Sequence, residues 1–433
     1  MKKQNRTLVL ALLTIVYCFN FLDRQIVGIL APFIQADLEL TNTQLGLILG
    51  PAFVFLYVIV GIPVAWLADR YNRISIVSFS LAFYSFFTVA TGMAGNFTQM
   101  FLARIGVGIG EAGGSPPSHS VISDLYAKEE RTSALSIYSL GIPIGIMAAY
   151  LASASLLGAD VDAVNWRRIF VILGVSGVIL ALIVRLIVRE PLRGAMENSA
   201  LNEKTMAKEK LPFFASLKIL LTIKSWWFMC LGIAFASFAA YAFSGFQTKF
   251  IRLLSPEADF RLVLIVIGVI NGLVYAAGTF MGGRISDKLA KKSVRAYGLV
   301  PFFAIAIGVP LAWLCFWTGS VWTHLIVATP LMFCLGIYLG PSFAIAQTLS
   351  PIHIRAMSTA LFFFILNLVS LGGGPTTAGI LIDAFGQTDS ELLSIRKAMT
   401  IVFGAGLVAA FFFFLASRTL PKDWAIAEAR NEG

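Results

Sequence analysis

The sequence predicts an all-α integral membrane protein with twelve spanning helices in two pseudo-symmetric six-helix halves. Three observations lead there. The 433 residues are 58% hydrophobic and only 13% charged, with a mean hydropathy of +0.82, whereas a soluble domain carries about 25% charged residues. Apolar runs long enough to cross about 30 Å of hydrocarbon at 1.5 Å per residue recur along the whole chain. Three short motifs of the first half return in the same order in the second. The runs lack the roughly ten-residue alternation of barrel strands, and a span must satisfy its own backbone polar groups, so the spans are helices.

The runs lie near 7–34, 45–68, 74–94, 98–127, 132–157, 167–189, 225–254, 260–284, 295–318, 322–349, 356–384 and 395–416. The basic start followed by an apolar run imitates a signal peptide. The run is too long, however, and carries Asp23 and Arg24 without a small-residue cleavage site, so it is read as the first span. Lys and Arg concentrate in the tails and in alternate loops, which predicts both termini in the cytoplasm. The polar stretch from about Glu190 to Lys210 separates an N-terminal half (1–189) from a C-terminal half with a short tail (225–433). Within the connecting segment 190–224, Phe214, Leu217 and Leu221 recur at helical spacing. That pattern suits a short interfacial helix, the alternative being an extension of span seven.

The repeat pairs "GIPVAWLADRYNR" after span two with "TFMGGRISDKLAK" after span eight, aligning Asp69 with Asp287, Arg70 with Lys288 and Arg73 with Lys291. "RTSAL" (131–135) returns as "RAMSTAL" (355–361), and "SLGIP" (139–143) as "SLGGGP" (370–375). Preserved order argues for duplication. Repeated halves with a site at their interface are a transporter architecture.

On these motifs the chain resembles the major facilitator superfamily. The loop after span two is a form of the family signature G-x-x-x-D-R-x-x-R, with Ala65 in place of the first glycine; the second copy keeps Gly283. "FNFLDRQIVG" in span one and "RIGVGIGEAGGSPP" in span four are similar to the spinster branch, whose members are described as transporters of lysolipids and sphingoid lipids. The resemblance implies the major facilitator fold and proton-linked movement of an amphiphile. It also implies that Asp69, Arg70, Arg73, Asp124, Arg131, Asp287 and Lys288 stabilise the form closed on the cytoplasmic side. Setting topology is the plainer role of such loop charges. "GIPIG" in span five, with Gly141, Pro143 and Gly145, resembles part of the family's antiporter motif.

Charges at membrane depth cost roughly 2.5 to 3.5 kcal/mol each on insertion scales, so they face the bundle interior and pair or function. Span one carries Asn20, Asp23 and Arg24 on one broad face, and span four carries Arg104 and Glu111 two turns apart. Counted along their helices, Asp23, Arg104 and Glu111 lie roughly 16, 9 and 20 Å from the outer ends of their spans. They are therefore expected to share one cavity. Asp23 and Glu111 can take up a proton, and the arginines cannot lose theirs. Proton coupling is expected to run through Asp23, Glu111 and Arg104, with Arg104 held by whichever carboxylate is ionised. A static ion-pair network and bidentate headgroup binding by Arg104 are the alternatives. The substrate site is expected to include Asn20, Arg24, Arg104 and Glu111. From the second half, where no comparably deep charge is read, it adds Asn271, Gln347 and Asn367 against Phe-rich walls.

Other signals lead nowhere. Gly108, Gly110 and Gly113 spell a dinucleotide fingerprint, but no strand precedes them. His119 and Asp124 have the H-x4-D spacing of some acyltransferases, yet five residues along a helix turn them about 140° apart. A membrane enzyme and a non-transporting sensor are thus minor alternatives. The net charge of +10 is scattered between apolar runs rather than gathered into a nucleic-acid stripe. Cys18, Cys230, Cys315 and Cys334 read as buried hydrophobes, with neither disulfide nor metal site expected. No cofactor is expected. The partners expected are an amphiphilic lipid or small molecule, protons and the bilayer. The expected state is a monomer in a bacterial inner membrane.

Overall fold

The computed structural model describes residues 4–156, 165–192, 213–351 and 354–432, and all regular structure among them is helical. The polar stretch 193–212 lies outside the described residues. Among the described residues eleven helices are long and apolar enough to span a membrane. The remaining predicted span, span four (98–127), is there as two shorter helices, Phe97–Glu111 and Ser115–Leu125. The break follows from the sequence. Gly113 and Gly114 weaken the helix, and the prolines Pro116 and Pro117 fit the first turn of a new one.

Side-chain caps start several spans. The Asn5 carboxamide accepts from Thr7 N and Leu8 N at the head of span one, Arg6–Ile29. Asn72 accepts from Ser75 N at 2.8 Å before span three, Arg73–Gly92, and Asn96 from Gln99 N at 3.0 Å before span four. Such caps satisfy amide donors that a helix start leaves open. Span two bends at Gly50, between Asn42–Leu49 and Pro51–Arg70. Span five is likewise jointed, Lys128–Ser139 and Gly141–Leu156, and Trp166–Ile187 forms span six.

In the second half a short helix, Phe213–Thr222, is separate from span seven, Lys224–Leu254, so the segment does not simply extend that span. Spans eight and eleven each contain one wider π turn, Ile270–Tyr275 and Leu368–Gly373. Prolines 301, 310 and 330 interrupt the amide ladders of spans nine and ten, Ala296–Phe316 and Val321–Ile337. Span ten continues as Leu339–Thr348. Span twelve reaches much further than 395–416: one helix runs Glu391–Glu432. Its tail is anchored, with Asp423 accepting from Ser225 N at 2.8 Å and Trp424 stacked on Tyr297.

The chain forms two compact units: Met1–Ala207 with Asp259–Gly268, and Lys208–Ala258 with Val269–Gly433. In each, glycine lets two spans touch backbone to backbone. A Cβ on Gly108 of span four would lie 2.2 Å from the Phe53 carbonyl oxygen of span two. One on Gly336 of span ten would lie 2.4 Å from the Tyr275 carbonyl oxygen of span eight. Small residues are what permit such close approach between membrane helices.

Candidate functional site: a buried ionic cluster in the first unit

Three spans build the site. On span one, Asn20, Asp23 and Arg24 fall on adjoining faces one turn apart, and Asn20 and Asp23 are buried. Span four brings Arg104 and Glu111, both buried, seven residues apart on one face. The close contact at Gly108, between those two positions, draws span four against span two.

Two ion pairs result. Arg104 Nη1 donates to Asp23 Oδ2 at 2.7 Å, and Arg24 Nε donates to Glu111 Oε2 at 2.6 Å. The expectation of one arginine shared between two carboxylates is therefore corrected: each carboxylate has its own arginine. Successive residues on span one point about 100° apart, so Asp23 meets Arg104 while Arg24 turns to Glu111 about two turns further along span four. Charge-assisted bonds this short are about twice as strong as neutral ones.

Sequence reasoning missed the residues that surround these pairs. Span three supplies Thr88, whose hydroxyl donates to Asp23 Oδ1 at 2.5 Å, and Tyr84, whose hydroxyl donates to Asn20 Oδ1 at 3.0 Å. Both are buried, and they sit four residues apart, which was the available signal. Span two supplies aromatic faces. The Arg24 guanidinium lies 4.7 Å from the Phe53 ring centroid and 4.9 Å from Tyr57, besides 5.2 Å from Phe21 of its own span, and Arg104 lies 5.5 Å from Phe53. One phenyl ring thus contacts both cations, each such contact being worth roughly 0.5 to 2 kcal/mol.

Bonding capacity is left over. Glu111 Oε1 and Arg104 Nε are buried without a hydrogen-bond partner. A buried carboxylate oxygen with a free lone pair is chemically equipped to accept a proton, and a guanidinium N–H to hold an anion.

The predicted signature-loop residues take different places. Arg73 is buried: it donates to Asp124 at 2.5 Å, Glu190 at 2.6 Å, Ser120 at 2.8 Å and the Pro191 carbonyl at 3.1 Å. Glu190 also caps span three by accepting from Ile74 N at 3.0 Å, a role the sequence reading did not assign. Arg131 donates to the Ser123 carbonyl at 2.9 Å. Arg70 is exposed and stacks on Trp66, 3.8 Å from the ring centroid; the Asp69 side chain lies outside what is described. In the repeat, Asp287 accepts from the Tyr297 hydroxyl at 2.8 Å, and Lys288 is exposed. His119 lies edge-on to the Tyr138 ring, while Asp124 holds Arg73, so the two do not act together.

The second unit is built differently. Asn271 is half-buried in the π turn of span eight, Asn367 donates to the Phe363 carbonyl at 2.8 Å, and Gln347 is exposed. Its buried polar groups are others. His324 Nδ1 lies 2.9 Å from the Cys315 carbonyl oxygen and its Nε2 lies 3.4 Å from the Gln247 side-chain nitrogen, among Phe243, Phe250 and Phe316. Among its buried polar groups is also Lys249, at a span end rather than at the depth of Asp23 and Arg104. It is buried near the C-terminal end of span seven and paired with Glu391.

A family model described as Major Facilitator Superfamily matches residues 13–374. The chain belongs to the Major Facilitator Superfamily. It is thus an integral membrane transporter, and its closer likenesses lie partly with the spinster branch. The solved structure of a bacterial homolog to the human lysosomal transporter spinster, inward-facing and unoccupied, is 28% identical. It has a TM-score of 0.84 and covers 98% of this chain and 99% of that one. An MFS-type efflux pump of Mycolicibacterium smegmatis is 30% identical over 96% of this chain and 94% of its own. A probable galactarate/D-glucarate transporter of Bacillus subtilis is 25% identical over 96% and 92%.

Proposed function

We propose that this superfamily member is a proton-coupled secondary transporter of amphiphilic lipids, of lysophospholipid or sphingoid type, working by alternating access. The observation that carries the reading is the buried cluster in which Asp23 and Glu111 are each held by an arginine while Glu111 Oε1 is left unbonded. Protonating either carboxylate cancels its attraction for its arginine, so proton uptake and release of a cation are one event. A freed guanidinium can then take the phosphate or carboxylate of a headgroup bidentately. The spinster likeness supports the lipid cargo.

In this reading Asp23, Glu111 and Arg104 couple protons. Asn20, Arg24, Arg104, Glu111, Asn271, Gln347 and Asn367 line the substrate path in two six-helix halves, 1–189 and 225–433. Arg73 with Asp124 and Arg131, and Asp69, Arg70, Asp287 and Lys288, govern the cytoplasmic gate. The protein works as a monomer in a bacterial inner membrane with both termini cytoplasmic. A second reading, a proton-linked carrier of small organic anions or hydrophobic drugs, is favoured by the sugar-acid and efflux relatives and by the two arginines.

Flux into proteoliposomes under an imposed pH gradient tests both. A fluorescent lysolipid is expected to move with the gradient, and Asp23→Asn or Glu111→Gln to abolish the gradient-driven flux. Gradient-driven glucarate flux with no lysolipid flux would select the second reading. Wild-type pH dependence in both variants would sink the coupling assignment.

A further inference from the structure

Span three contributes a hydroxyl to the cluster that the coupling scheme above does not use. Thr88 Oγ1 lies 2.5 Å from Asp23 Oδ1 and 3.1 Å from the Tyr84 carbonyl oxygen one turn earlier on its own helix. A threonine hydroxyl has one proton to donate and two lone pairs. It can give that proton to one of these two acceptors at a time. While Asp23 is ionised, the carboxylate is the stronger acceptor and takes the bond. Once Asp23 is protonated, its own O–H can point at Thr88 Oγ1, which turns its proton to the Tyr84 carbonyl. Thr88 is then bonded in both protonation states, and the only change on span three is rotation of its hydroxyl. No covalent bond beyond the O–H of the incoming proton is made or broken.

We infer that Thr88 is a positioning residue for Asp23, a two-state hydrogen-bond relay that sets how readily this carboxylate takes up a proton. The inference rests on the coupling reading for its consequence in transport, but not for its geometry. Arg104 and, further along, Glu111 face Asp23 from span four, Thr88 and Tyr84 from span three, and Arg24 and Asn20 flank it on its own helix. Span five, packed closely on span one through Gly145 against the Cys18 carbonyl oxygen, brings no charged residue between Gly141 and Leu156. Thr88 is therefore the neutral group whose removal changes the bonding of Asp23 without altering any charge. Helix-interior threonine often bonds back to the carbonyl four residues earlier. What distinguishes Thr88 is a carboxylate oxygen at 2.5 Å on its other side.

The test is infrared titration of the purified protein, reading the C=O band of protonated carboxylic acid, with the Asp23 contribution assigned by its loss in Asp23→Asn. Thr88→Val keeps the shape and removes the bond to each form, the charge-assisted one to the ionised form being the stronger, so the midpoint of the Asp23 band is expected to rise by about one pH unit. Thr88→Ser keeps the hydroxyl and is expected to restore the parental midpoint. A midpoint unmoved or lowered in Thr88→Val, a Ser variant that behaves like Val, or an Asp23 band that does not titrate would each overturn the relay. Gradient-driven flux is measured on the same samples. Flux indifferent to pH beside a shifted band would mean that the coupling reading fails while the relay stands.

Discussion

The two units solve the same packing problem with different chemistry. In the first, Gly108 of span four lies against the Phe53 carbonyl of span two; in the second, Gly336 of span ten lies against the Tyr275 carbonyl of span eight. Counting from that shared contact gives a register between the halves. Arg104, four residues before Gly108, falls opposite Met332, four before Gly336, and Glu111 falls opposite Leu339. Met332 is buried, as Arg104 is. The two units thus share the helix contact, while one carries two charged side chains where the other carries apolar ones. The contact is a requirement of folding in lipid, where tight packing holds helices together. The charges are not: they cost free energy on insertion and are explained only by what they do.

The strongest way to break this contrast is to put the second unit's residue into the first. Arg104→Met leaves Asp23 buried with only Thr88 to bond it. Removing one partner of a buried pair typically costs about 3 to 5 kcal/mol. The variant is expected to lose stability on that scale in reversible unfolding from mixed detergent micelles, and to lose proton-driven flux. Adding Asp23→Asn to Arg104→Met removes the stranded charge and is expected to recover most of the stability but none of the flux. If Arg104→Met alone is as stable as the parent, Asp23 is not held as a carboxylate by Arg104, and the cluster is a neutral one.

A smaller and symmetric effect sharpens the other side of the comparison. Gly108→Ala and Gly336→Ala each push a methyl group to within 2.2 and 2.4 Å of a backbone carbonyl oxygen, which must shift. Overpacking of this kind costs about 1 to 3 kcal/mol. The two variants are expected to lose stability by similar amounts, measured by the same unfolding assay. A harmless Gly336→Ala beside a damaging Gly108→Ala would show that the shared contact is not equivalent and that the register drawn from it is wrong.

What the sequence revealed and what it hid follow the same energetic division. The spans were legible because a bilayer dictates length and hydropathy, and Asp23, Arg24, Arg104 and Glu111 were legible because such residues are rare at depth. Their pairing was not legible. Whether Arg104 meets Asp23 or Glu111 depends on helix rotation and on the packing at Gly108, which the sequence gives no way to compute. Thr88 and Tyr84 stayed hidden because a hydroxyl in an apolar run costs little and is common. The Phe53 ring was one of 36 phenylalanines until the structure set it against two guanidinium groups. Lys249 was not singled out because it stands near a span end, and the partner it pairs with, Glu391, is more than a hundred residues away. Span four divides into two helices at the glycines and prolines that the sequence displayed plainly.

The smallest expected effect lies where both units carry exposed pairs. Arg167 pairs with Asp37 in the first unit, where Asp37 also accepts from the Trp166 indole; Lys397 pairs with Asp389 at 2.6 Å in the second. At least one partner of each pair is more than a third exposed, so solvent screens the attraction and ordering long side chains offsets part of it. Arg167→Ala and Lys397→Ala are each expected to cost less than about 1 kcal/mol, to lose even that in molar salt, and to leave flux unchanged. The two units are expected to respond alike here, because neither pair is buried deeply enough for its charge to carry a cost. A loss for Arg167→Ala as large as that for Arg104→Met would mean that charge in the first unit is structural throughout. The asymmetry between the units would then belong to folding rather than to transport.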